Sequence, residues 1–137
     1  MRTAIDSNVV SALWTGEETA DAIESALNAA RARGRLLMCA PVFVELLAHP
    51  LAKPGVMDRF LAKTGIVVDF ALDESIWRRA AEGFAAYAQR RRRSGGNSPK
   101  RLLVDYIIAA HASLHADQLM TLDPHRYALD FPQLRLL

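Results

Sequence analysis

The sequence predicts an α/β fold, a three-layer α/β/α sandwich built on a mainly parallel central sheet. Three observations predict it. Short strand-like runs alternate along the chain with longer segments of helical periodicity, the pattern of strand–helix–strand units. The runs around Thr3 to Ile5 and Arg35 to Ala40 read as buried strands, which suits a sheet covered on both faces. The 137 residues, 51% of them hydrophobic, are enough for one continuous core, so residues 1–137 are read as a single domain.

Taken in order, the first strand stops at Asp6-Ser7-Asn8, and Val9 to Trp14 continue as a short helix that Ser7 or Asn8 can cap. Asp6 is thereby delivered to the C-terminal tip of a buried strand, the edge at which open α/β sheets bind ligands. Thr15 is expected to cap a helix from about Glu17 to Arg33, whose early acids and late arginines match the helix dipole and which Gly34 stops. Arg35 to Ala40 form a second strand, and Pro41 opens a helix, VFVELLAH, that carries Glu45 a single turn in. Pro50 and Pro54-Gly55 break the chain before a helix from about Val56 to Lys63. Gly65 then releases it into a strand from Ile66 to Phe70. Asp73 caps a long helix, Glu74 to about Arg93, whose stripe of Ile76, Trp77, Ala80, Phe84 and Tyr87 reads as core packing. Ser94 to Ser98 form a loop, and Ser98-Pro99 restart a helix running to about Ala116. That helix is apolar nearly all round and places Asp105 among core residues. Leu119 to Leu122 are the fourth strand, ending on Asp123-Pro124 as the first ends on Asp6. His125 to Leu129 form a short helical turn and Leu134 to Leu137 an edge strand.

Composition narrows the function. Cys39 is the single cysteine, which excludes an internal disulfide framework and a thiolate cluster. The uncharged stretch Leu36 to Val44 is too short to span a bilayer and contains Pro41, so no membrane role and a cytoplasmic location are expected. The net charge is only +2, yet Arg90, Arg91, Arg92, Arg93, Lys100 and Arg101 crowd around one loop. The cluster has two readings: a solvated helix end whose cations the dipole favours, or an RNA-phosphate contact flanking the acids. His111 and His115 have a spacing that can bind zinc, but no glutamate follows His111 to complete a protease signature, and their role stays open.

The strand tips of a parallel sheet share one edge, so Asp6 and Asp123 should project on the same side, with Glu45 and Asp105 entering from helices that start there. Two carboxylates about 4 Å apart repel by roughly 4 kcal/mol at an effective dielectric near 20, so a positive group must offset them. Oxygen-only ligands suit Mg²⁺ or Mn²⁺ better than zinc, and such ions ordinarily meet phosphate, where hydrolysis of a phosphodiester is the simplest outcome. Asn8 and Thr121, with Ser7 a weaker candidate, would fix how the carboxylates present themselves.

Together, D-S-N at Asp6 to Asn8, the acid in PVFVELLAH, VDYIIAAHA around Asp105, TLD at Thr121 to Asp123 and the closing RYALDFPQLRLL resemble the PIN domain. Within it, they are similar to the virulence-associated protein C (VapC) toxins of bacterial toxin–antitoxin pairs. The resemblance spans the chain in order. It implies Asp6, Glu45, Asp105 and Asp123 as metal-binding acids, Asn8 and Thr121 as supporting groups, and RNA cleavage leaving a 5′-phosphate. It also implies a homodimer and a VapB-like antitoxin whose C-terminal segment blocks the site. Two rivals differ in class. One is a PIN-like module that binds RNA or protein without cutting, which should lack at least one acid. The other is a phosphatase of the haloacid dehalogenase type, which needs an aspartate where this chain has Asn8.

Overall fold

In this computed structural model, which describes residues 1–96 and 103–137, strands β1 (Arg2–Ile5), β2 (Arg35–Cys39), β3 (Val67–Asp69) and β4 (Gln118–Met120) form one sheet. Its order is β3-β2-β1-β4, and every pairing is parallel. The described helices are α1 (Ser7–Thr15), α2 (Ala20–Arg33), α3 (Ala40–Leu47), α4 (Val56–Thr64), α5 (Glu74–Arg93), α6 (Leu103–His115) and α7 (His125–Ala128). The expected helix start at Ser98-Pro99 lies outside the described residues.

The chain steps outward from β1 to β2 to β3, then returns to lay β4 on the far side of β1. Right-handed crossovers therefore send the helices before β3 and those after it to opposite faces, giving the expected three layers. Successive residues confirm the covering: Ala4 and Ile5, Leu36 to Cys39, and Leu119 and Met120 are all buried, as strands between two helix layers must be. The reversal leaves a crevice between the C-terminal ends of β1 and β4, the place where sheets of this kind hold ligands.

Local chemistry differs from expectation at three points. The cap of α1 is Asp6 itself, extended at φ −78° and ψ 154°, with Oδ1 accepting from the Ser7 backbone N–H at 2.7 Å. Ser7 and Asn8 are already helical. Thr15 closes α1, its hydroxyl donating to the Ser11 carbonyl at 3.0 Å, and Gly16 follows at φ 64°, a left-handed stop that glycine adopts without a side-chain clash. The next helix consequently begins at Ala20 and not at Glu17.

The third difference bears on the site. β4 begins at Gln118, which is fully buried and donates from Nε2 to Thr3 Oγ1 across the sheet at 2.8 Å, and it ends at Met120. Ile5 is paired with Met120, so the residue beside Asp6 at the sheet edge is Thr121. Asp123 stands two residues later, in the turn that leads into α7. The closing segment makes a single parallel bridge, Leu119 to Leu136, which covers the outer edge of β4.

Elsewhere the local signals hold. Asp73 caps α5 by accepting from the Ile76 N–H at 3.2 Å, and Pro41 lies in the first turn of α3. Gly83 lets α5 approach the neighbouring rings: a Cβ there would come within 3.1 Å of Phe131 and Tyr106. Tyr106 is core, being 2% exposed and packed against Phe84, Tyr87 and Phe131. No helix among the described residues is long and apolar enough to cross a membrane.

The two histidines of α6 each meet a different aspartate. His111 Nε2 lies 3.0 Å from Asp69 Oδ2 at the end of β3, and His115 Nε2 lies 3.4 Å from Asp73. Burial pushes the pKa of His111 below its ordinary value, outweighing the hydrogen bond and charge of Asp69. The unfolded chain then takes up a proton that the folded chain declines. The stability from a neutral His111 is present above about pH 6.5 and is lost as pH falls toward the depressed value. Urea unfolding at constant ionic strength should show a lower midpoint at pH 5.5 than at pH 7.5. His111→Gln, which keeps a donor toward Asp69, should narrow that difference; an unchanged difference would assign it to another group.

Candidate active site

Asp6 is the centre of the arrangement at the β1–β4 crevice. Its carboxylate is 1% exposed, and each oxygen is held. Oδ1 accepts from the Ser7 N–H; Oδ2 accepts from the Thr121 hydroxyl at 2.9 Å and from the Tyr127 hydroxyl at 2.7 Å. Asn8, the second residue of α1, donates from Nδ2 to Thr121 Oγ1 at 3.2 Å and accepts from the Leu122 N–H at 3.1 Å. Thr121 Oγ1 also accepts from the Asp123 N–H at 3.1 Å. Asn8 and Thr121 therefore tie the turn carrying Asp123 to the tip of β1.

Asp105, 8% exposed in α6, reaches the same place through Arg126. The guanidinium spans two carboxylates, with Nη1 3.3 Å from Asp105 Oδ1 and Nε 3.3 Å from Asp123 Oδ2. Glu45 faces the group from α3. Partial desolvation raises its pKa, and the Asp6 and Asp105 carboxylates raise it further, against the lowering influence of Ser7 and Arg126. The same negative field reaches the Tyr127 hydroxyl, which burial and then Asp6 hold above the ordinary phenol range. Cys39, ending the neighbouring strand, is pushed up to about 12 by burial, with Asp6 and Glu45 adding to the effect, so its thiol is inert.

Four acids from four elements thus share one field, but they do not form a closed cage. Among the described residues, no three His, Cys, Asp or Glu side chains gather into a group that could hold a metal ion. Arg126, standing between Asp105 and Asp123, offsets part of their mutual repulsion. The donor set still fits a hard divalent cation, since every available atom is a carboxylate oxygen and the local excess of negative charge already draws in a cation.

A sequence model of the PIN domain matches residues 3–132. The chain belongs to the PIN domain family. This PIN domain is similar to a chain of VapBC2 from Rickettsia felis, solved bound to a DNA fragment from their promoter. The identity is 16% and the TM-score 0.64, over 100% of this chain and 98% of that one. It is similar also to a chain of VapBC-1 from nontypeable Haemophilus influenzae, at 19% identity and TM-score 0.64, over 100% and 97% of the two chains. At such identities the likeness is one of fold. No curated protein sequence matches the chain.

One cation of the basic cluster is paired within the fold. The Arg90 guanidinium is committed to Asp130, whose carboxylate also accepts from the Tyr106 hydroxyl at 2.9 Å. Arg91, Arg92 and Arg93 end α5, the last two exposed, while Lys100 and Arg101 lie outside the described residues. Sequence reasoning missed Tyr127 and Arg126, which act on Asp6 and on Asp105 with Asp123. A faint signal existed for Arg126, three residues after Asp123 and so on its side of a helical turn. Nothing local marked Tyr127, whose partner is 121 positions away.

Proposed function

We propose that this PIN domain is a metal-dependent endoribonuclease and the toxin of a toxin–antitoxin pair, acting in the cytoplasm. The observation that carries the reading is the single acidic centre at the β1–β4 crevice, to which Asp6, Glu45, Asp105 and Asp123 each contribute from a different element. Membership of the PIN family, the fold likeness to VapBC chains and the VapC-like motifs support it. A VapB-like antitoxin, an RNA substrate and a homodimer are the partners that this reading brings.

In this mechanism, Asp6, Glu45, Asp105 and Asp123 would hold Mg²⁺ or Mn²⁺. The ion would supply an attacking water of lowered pKa and stabilise charge on the phosphorus oxygens. Asp6 is held in one orientation by Thr121, Tyr127 and the Ser7 N–H, so its lone pairs are aimed before substrate arrives. Asn8 keeps the Asp123 turn against β1. In-line attack would join the water oxygen to phosphorus and break the bond to the 3′-oxygen, which would leave as a hydroxyl protonated from solvent while the phosphate stays on the 5′ side of the next nucleotide; no 2′-hydroxyl nucleophile is needed.

End-labelled RNA incubated with the purified chain should be cut in Mn²⁺, spared in EDTA and cut again on restoring the ion, with products bearing 5′-phosphates. Undiminished cutting in EDTA would overturn the proposal. The Arg126 bridge between Asp105 and Asp123 gives a non-cleaving RNA- or protein-binding module one supporting observation, and tight RNA binding without products in Mn²⁺ would favour it. Tyr127→Phe removes a donor to Asp6 without touching RNA. It should lower kcat by about tenfold and leave KM unchanged. A rise in KM at constant kcat would instead place Tyr127 against the substrate.

A further inference from the structure

Arg126 is a cation already built into the acidic centre. It lies in the first turn of α7, and its one guanidinium joins two carboxylates from different elements, Asp105 of α6 and Asp123 of the preceding turn. Its own backbone N–H donates to the Asp123 carbonyl at 3.2 Å, so the Arg126 main chain is anchored independently of where the side chain points.

Three features make the guanidinium exchangeable. Both contacts are 3.3 Å, longer than the usual charge-assisted bond of about 2.7–2.9 Å. The side chain is 38% exposed, so water is open to it without unwinding α7. The oxygens it occupies, Asp105 Oδ1 and Asp123 Oδ2, belong to the acids that would hold a divalent ion, and their negative charge cannot be fully used by two cations at once.

We propose that Arg126 is a resident counter-ion that competes with the divalent metal for Asp105 and Asp123. Resting on the metal-dependent reading above, this makes Arg126 a positioning residue with two opposed effects. It relieves repulsion when the centre has no metal, and it weakens metal binding, so that the guanidinium turns outward as the metal enters.

Binding of Mn²⁺ to the full chain, followed by calorimetry for the wild type, Arg126→Ala and Arg126→Gln, tests this without reference to catalysis. Both variants should bind Mn²⁺ about fivefold more tightly, the scale of one partly exposed ion pair. In EDTA both should melt below the wild type, and Mn²⁺ should raise their melting temperature by more than it raises the wild type's. A variant too unstable to hold its fold in EDTA but folded in Mn²⁺ supports the proposal by the same linkage. Equal or weaker Mn²⁺ affinity in the variants, with the wild type binding normally, refutes the competition alone. An absence of Mn²⁺ binding in all three proteins refutes the metal-dependent reading and this proposal with it.

Discussion

Asp105→Asn should lower the rate of RNA cleavage by about a thousandfold, some 4 kcal/mol of lost transition-state stabilisation, while leaving the fold intact. The substitution keeps the shape of the side chain and an oxygen that can still accept from Arg126 Nη1. What it removes is one negative charge and one strong oxygen donor facing Glu45 and Asp6. Asp105 is the cleaner choice for this test because the Asp6 carboxylate also caps α1 and receives the Thr121 and Tyr127 hydroxyls, so Asp6→Asn disturbs structure and chemistry together. Initial rates in Mn²⁺, read beside circular dichroism, decide the matter. A variant cutting within tenfold of the wild type would remove Asp105 from the reacting centre.

Asp130→Ala should cost about 3 kcal/mol of stability, or roughly 10 °C in Tm, with cleavage below the melting range little changed. The Asp130 side chain is 2% exposed, accepts from the Tyr106 hydroxyl and pairs with Arg90. Its backbone carbonyl accepts from Arg79 at 3.2 Å, and that guanidinium lies 4.3 Å from the centroid of Phe131. Deleting the carboxylate withdraws an acceptor from a buried phenol and the counter-charge from an arginine. The full penalty of a broken buried pair is not reached, because Arg90 is 39% exposed and can turn toward water. Asp130→Asn, which can still accept from Tyr106, should cost less. Urea titrations of the two variants measure the difference, and a loss under about 1 kcal/mol for Asp130→Ala would show that the Arg90–Asp130 pair does little to hold the fold.

The two centres were legible in the sequence to unequal degrees. Asp6 stood out because a polar triplet ends an apolar run, and the structure puts it at the tip of β1; Asp105 stood out as an acid among core residues, and it is buried in α6. Parallel topology with right-handed crossovers gave the expectation that the acids point toward one edge. Asp130 drew no notice, since an acid beside Phe131-Pro132 looks like an ordinary turn until Arg90 and Tyr106 are brought to it.

By itself, the sequence determined what depends on neighbours along the chain: the alternation of strand and helix, the Asp73 cap, the proline at the start of α3 and hence the α/β sandwich. Caps and periodicities act over a few residues and need no knowledge of the rest. Tertiary structure alone decided that Thr121, and not Asp123, stands beside Asp6, that Tyr127 holds its carboxylate, and that Arg126 occupies the space between Asp105 and Asp123. The Thr121 and Tyr127 bonds to Asp6 cross 115 and 121 positions, and they exist because the last strand is laid against the first. A one-dimensional pattern carries no such distance; only the order of strands in the sheet sets it.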